Sequence, residues 1–167
     1  MSQAWSDPIP YDLSRTHCRA SVPKRFAMRV PEAPGTYVIC RIGQPNVCEG
    51  VLDIGEAGLR PDSTPRGLRG RLATTVAHSA SQKIAADIDD GGLPNELRVV
   101  WVRRQAKEDA KELQDALITL FSQECGRQPR YNTKLEQHAE SEAYGTVYAA
   151  LKARIGCVSR RPTTRCS

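Results

Sequence analysis

Nowhere among its 167 residues does the chain run to the ~18 consecutive apolar residues that a helical membrane span needs. Its first residues, Met1-Ser2-Gln3-Ala4-Trp5-Ser6-Asp7-Pro8, carry neither the basic stretch nor the apolar stretch of a secretory leader. The expectation is a protein of the cytoplasm with no membrane partner. Metal-binding cysteine patterns are missing too. Cys18, Cys40, Cys48, Cys125, Cys157 and Cys166 include no C-x-x-C pair, and the histidines do not fall at zinc spacing from them. The even cysteine count invites disulfides, but the absence of a leader argues for thiols instead, and Cys40, inside an apolar run, reads as core. Internal repeats and low-complexity segments are also absent.

What is present suits one globular domain with a core of its own: 40% hydrophobic and 26% charged residues over a length ample for a single fold. The net charge of +5 is unevenly spread. Residues 1–30 hold five Lys/Arg against two Asp/Glu, and residues 134–167 hold six against three, so each flank carries +3. The middle holds thirteen against fourteen, or −1. Basic flanks can bind a polyanion by displacing its counterions, although segments of this size also suit a plain solvated surface.

Periodicity divides the chain into a proline-rich extended arm over 1–32, a core over 33–133, and a tail helix with a basic end over 134–167. Gly35 to Ile42 and Val51 to Ile54 read as strands, joined by turn chemistry at Gly43-Gln44-Pro45-Asn46 into an antiparallel hairpin with a long loop. A helix is expected from about Arg66 to Lys83, on Leu68, Leu72 and Val76. A third strand follows over Leu97 to Val102, then a helix from about Ala106 to Glu124 that stops near Gly126, with Pro129 barring its continuation. The order β-β-α-β-α predicts an α+β fold of the α/β type, a small three-stranded mixed or antiparallel sheet flanked by helices. In the tail, Tyr144, Val147, Tyr148, Leu151 and Ile155 make one apolar stripe. It could close the core or form the seam of a homodimer.

Four short motifs lie on these elements: Gly35-Thr36-Tyr37, Asp53-Ile54-Gly55, Arg71 within Leu68-Arg69-Gly70-Arg71-Leu72, and Asn132 within Pro129-Arg130-Tyr131-Asn132. In this order and placement they resemble the GIY-YIG nuclease family, in particular its restriction-enzyme branch, over roughly residues 33–133. The resemblance implies metal-assisted hydrolysis of a DNA phosphodiester, with one Mg²⁺ or Mn²⁺ per site. It makes Tyr37 the tyrosine near the attacking water, Arg71 the cation for charge developing on phosphorus, and Asn132 the residue that fixes local geometry. Gly55, Arg69, His78 and Arg130 become candidates for contact with nucleic acid. Free tyrosine has a pKa of about 10, so Tyr37 would need a nearby cation or hydrogen-bond network to act as a base. An always-protonated guanidinium suits Arg71's part.

The chain departs from the family pattern where the metal ligand is expected. The resemblance places a glutamate on the second core helix at position 114, and Gln114 stands there. At ~100° per residue, Ala110, Leu113, Leu117, Ile118 and Phe121 form an apolar arc that includes Gln114, while Glu112 and Asp115 fall outside it, toward solvent. A polar side chain in an apolar arc needs partners, so Gln114 faces the core or the site. Three accounts fit: a natural glutamine in a weak or inactive nuclease, a glutamine introduced to trap a complex, or another acid, Asp53 or Glu56, holding the metal. Asp53 also replaces the tyrosine usual in the second motif. The alternative function is a non-cleaving nucleic-acid-binding module on the same scaffold.

Overall fold

The computed structural model describes residues 4–13, 24–41, 44–59, 66–73, 79–94, 96–133 and 142–159. Its centre is the expected hairpin. β2 (Gly35–Arg41) pairs antiparallel with β3 (Val51–Ala57), with Tyr37 opposite Gly55 and Ile39 opposite Asp53. A single turn, α2 (Val47–Gly50), occupies the connection; the Asn46 side chain caps it by accepting from Glu49 N at 3.0 Å. β4 (Leu97–Arg103) lies antiparallel on the other side of β2. β2 and β4 read as nearly continuous apolar runs because helices cover both faces of the sheet.

The sheet has a fourth strand. β1 (Ile9–Tyr11) pairs antiparallel with β4, giving the order β1-β4-β2-β3 with β1 and β3 at the edges. Residues 4–13 of the N-terminal arm are therefore packed rather than merely extended. Ser6 N donates to Trp101 O at 2.8 Å, Trp5 Nε1 donates to Val147 O at 3.0 Å, and the Tyr11 hydroxyl donates to Leu72 O at 3.1 Å.

Alternation along the strands sends side chains to two cores. Tyr37, Ile39, Val99 and Trp101 face a layer made of α1 (Lys24–Arg29), α3 (Gly67–Leu72) and α4 (Ser79–Asp89). Val38, Cys40, Val100 and Val102 face α5 (Lys107–Cys125) and α6 (Glu142–Ser159). Cys40 is fully buried, as its apolar run implies, and burial pushes its thiol up to about 12. Val147, Tyr148, Leu151 and Ile155 of the tail stripe are buried in the same core, so the stripe closes the fold from within.

Two further expectations are corrected. The helix expected over Arg66–Lys83 is two helices, α3 ending at Leu72 and α4 running on to Asp89. Thr74, Thr75 and Val76, which lie outside the described residues, are a β-branched run of low helix propensity. The cysteines are not all thiols: Cys48 on α2 and Cys125 at the end of α5 form a disulfide, with Cα atoms 5.4 Å apart across 77 residues of sequence. The fold brings these two turns together at one end of the second core.

One glycine positions the helix that carries Arg71. Gly67 opens α3 at φ +59, and a Cβ there would stand 2.2 Å from Ala33 O. No other residue combines that dihedral with so close a backbone approach. Leu68 N then donates to Ala33 O at 2.9 Å, tying the helix start to the residues that lead into β2 and Tyr37.

Candidate phosphodiester cleft

A cleft of about 250 Å³ wraps around the exposed edge of β3. Residues from both faces of the sheet reach it. Tyr37 and Asp53 come from one face, Arg71 from α3, Glu56 from the other face, Gln114 from α5, and Asn132 from the turn after α5. These side chains span nearly a hundred residues of sequence. Among the described residues, the structure brings all of them into one lining.

The edge of β3 is finished by side chains instead of another strand. On its open side Ile54 donates its N–H to Asn132 Oδ1 at 3.0 Å, and its carbonyl accepts from Asn132 Nδ2 at 2.7 Å. Gln114 Nε2 donates to the same carbonyl at 3.0 Å. The two amides thus satisfy a backbone edge that would otherwise be open. They also hold fixed the strand residues on either side, Asp53 and Gly55. Gly55 lines the cleft through its backbone alone. A Cβ at this position would stand 2.2 Å from the Tyr37 hydroxyl oxygen, so its part is to make room for the phenol.

Tyr37 is 2% exposed, and burial, followed by the neighbouring Asp53 carboxylate, raises its phenol well above the ordinary value. The charge of Arg71 acts in the opposite direction and is outweighed. Tyr37 is therefore held as a protonated phenol and a hydrogen-bond donor to Asp53. Asp53 is 3% exposed, and burial pushes its carboxyl up to about 7 against the opposing pull of Arg71 and the Tyr37 hydroxyl. Arg71 has no hydrogen-bonded partner among the described residues, which leaves its guanidinium available to an anion. The first residues of α4, Ser79 and Ala80, also line the cleft.

Gln114 faces the cleft, as the helical wheel predicts, with Leu113 and Leu117 buried beside it. Glu112 is exposed as expected. Asp115 is not turned to solvent. It lines the cleft and pairs with Lys111 at 2.9 Å, because a cleft that wraps around a strand edge reaches farther round α5 than the apolar arc does. Lys111, Asp115 and Tyr131 are lining residues that periodicity does not single out.

Of the other sequence candidates, Arg69 lies away from the cleft, donating to Val30 O at 2.7 Å and pairing with Glu32 at 2.7 Å. Arg130 pairs with Asp87 at 2.6 Å and lines a neighbouring groove. His78 lies outside the described residues, as do residues 14–23 and 160–167 of the basic flanks.

The donor set bears on whether a divalent ion could sit in the cleft. Gln114 is engaged with Ile54 through its amide nitrogen and offers no charge. Among the described residues no group of three or more His, Cys, Asp or Glu is arranged to hold a metal. Asp53 Oδ2 and Glu56 Oε2, however, are buried with no hydrogen-bond partner. Mg²⁺ is commonly held by one or two carboxylates, with water and substrate phosphate completing its shell. Asp53, on one face of β3, or Glu56, on the other, could each supply one such carboxylate oxygen.

No helix among the described residues is long and apolar enough to cross a membrane. In comparisons with protein-family models, curated proteins and solved structures, none matches this chain.

Proposed function

We propose that the cleft binds and hydrolyses a phosphodiester of DNA, in the manner of the GIY-YIG nucleases that the motifs resemble. One observation carries the reading: Tyr37, Arg71 and Asn132 line one cleft together with two acids, Asp53 and Glu56, that each keep a buried oxygen unpartnered. Arg71 receives the non-bridging oxygens of the phosphate and neutralises the charge that builds on them. The Tyr37 phenol donates to Asp53 and sets its direction. Asn132 and Gln114 lock the Ile54 peptide, so the acid on that strand does not shift as charge moves. Asp53 or Glu56 would hold one Mg²⁺ or Mn²⁺, and such an ion, when bound, lowers the pKa of a coordinated water and stabilises the leaving oxygen. A cytoplasmic setting, the expectation from the sequence, goes with this reading, against the Cys48–Cys125 disulfide, a bond more usual in oxidising compartments.

A second reading, a DNA-binding module that does not cut, is favoured by one contact, the Gln114 amide on the Ile54 carbonyl where the resemblance expects a metal-binding carboxylate. Plasmid and linear duplex incubated with Mg²⁺ or Mn²⁺ separate the two. The nuclease reading expects cleavage that Arg71→Ala and Asp53→Asn abolish. Salt-sensitive DNA binding with every substrate left intact in both metals would establish the second reading instead.

A further inference from the structure

Beside the cleft lies a second groove, of about 460 Å³, lined by Arg41, Arg127 and Arg130 and by one carboxylate, Glu49. Two of the three arginines are held in an unusual way. Arg41 donates Nε and Nη2 to the carbonyl of Glu49, at 3.3 and 2.8 Å. Arg127 donates to the carbonyls of Cys48 and Gln128. These guanidiniums are positioned by neutral oxygens, and among the described residues neither pairs with a carboxylate. Among the described residues their charge is thus fixed in place but not neutralised. Arg130 is paired with Asp87.

The two walls are also covalently joined. Cys48, whose carbonyl holds Arg127, is bonded to Cys125, two residues before that arginine. Asn132 lines both the groove and the cleft, and the strand residues follow in order, Val51 and Leu52 on the groove and Asp53 to Glu56 on the cleft. At ~3.4 Å per residue, Val51 and Asp53 are ~7 Å apart along the strand, or about two 3.4 Å steps of one DNA strand.

We infer that the groove is a binding site for the DNA sugar–phosphate backbone, in which Arg41 and Arg127 hold the phosphates next to the one received by Arg71. This rests on the reading of the cleft as a phosphodiester site and extends it to a strand path with a direction, from the Cys48–Cys125 end of β3 toward Glu56. The contacts go to phosphate and so carry register rather than sequence.

The test is fluorescence anisotropy of a labelled DNA duplex against the full chain over a series of salt concentrations. Replacing both Arg41 and Arg127 by Gln should weaken binding and reduce the slope of log K against log salt by about 1 for each arginine. Arg→Lys at both positions should keep most of the slope. Glu49→Gln, at an exposed carboxylate, should act in the opposite sense and tighten binding, which keeps the test decisive should the Gln variants fold poorly. An unchanged affinity and slope in the double Gln variant, or no tightening with Glu49→Gln, overturns the groove. Arg71→Ala, assayed in parallel, reports the cleft alone. Cleavage unaffected by Arg71→Ala sinks the cleft reading, whatever the groove variants do.

Discussion

Asn132 and Ile54 are joined by two hydrogen bonds, the amide oxygen of one accepting from the N–H of the other and the amide nitrogen donating to its carbonyl, at 3.0 and 2.7 Å. The side-chain amide imitates the peptide of a missing neighbour strand. Only a group with a donor and an acceptor side by side can do this.

Asn132→Asp tests that relationship. The substitution keeps size and the acceptor but replaces the donor, setting a carboxylate oxygen against the Ile54 carbonyl. The expected loss is about 1–3 kcal/mol, read as a lower urea midpoint with an unchanged m-value. DNA cleavage should fall with it. Asn132→Gln would not rescue, since its amide stands one methylene too far out. A midpoint equal to that of the unaltered chain would show that the edge contact contributes nothing.

Gln114→Glu would supply the carboxylate that the resemblance to the GIY-YIG nucleases leads one to expect there, and the structure gives the change a cost. Gln114 Nε2 donates to Ile54 O at 3.0 Å, and a carboxylate in the same rotamer would place acceptor against acceptor. The variant is expected to lose about 1–3 kcal/mol without metal. With the new acid turned into the cleft beside Asp53 and Glu56, Mg²⁺ should recover that loss through binding to the native state. Thermal melts with and without Mg²⁺ check both halves. A melting temperature that Mg²⁺ leaves unmoved would remove Asp53 and Glu56 as partners for an ion.

The parts that could be read from residue order were those set by local pattern. β2, β3 and β4 announce themselves by β-branched and aromatic residues, and α5 and α6 by apolar residues at helical spacing. The wheel of α5 placed Gln114 correctly because its neighbours Leu113 and Leu117 are core. β1 was not legible: Ile9-Pro10-Tyr11 is three residues long with a proline at its centre, and only pairing with β4 makes it a strand. Proline is tolerated there because β1 is an edge, where one N–H can be missing. The Cys48–Cys125 bond and the groove of Arg41 and Arg127 were hidden for a related reason. Each depends on segments brought together from opposite ends of the core, and spacing along the chain carries no trace of that.

The disulfide should contribute measurably to stability, since it closes a loop across 77 residues of sequence. Cross-links of this kind typically contribute about 2–4 kcal/mol, mainly by restricting the unfolded chain. Reduction, or Cys48→Ser with Cys125→Ser, should lower the urea midpoint accordingly. Cys40, buried and held as a thiol, should resist alkylation until the chain unfolds. Rapid labelling of Cys40 in the native protein would contradict its place in the core.

Asp53 makes stability depend on pH in a direction opposite to that of a salt-bridged acid. Its carboxyl is raised from 3.8 to about 7, chiefly by burial. Between those values the folded chain binds the proton that the unfolded chain has released. Stability therefore falls as pH rises from about 4 to about 7 and levels off above. Full development of the shift corresponds to an upper bound of roughly 4 kcal/mol. Asp53→Asn keeps an acceptor for the Tyr37 hydroxyl and removes the titration. The variant should match the unaltered chain near pH 4 and exceed it at pH 8, with urea midpoints taken across the range as the measurement. The gap between the two chains isolates Asp53 from the other carboxylates, which titrate in both. If the gap does not widen with pH, Asp53 is ionised in the folded chain throughout, and Arg71 outweighs burial.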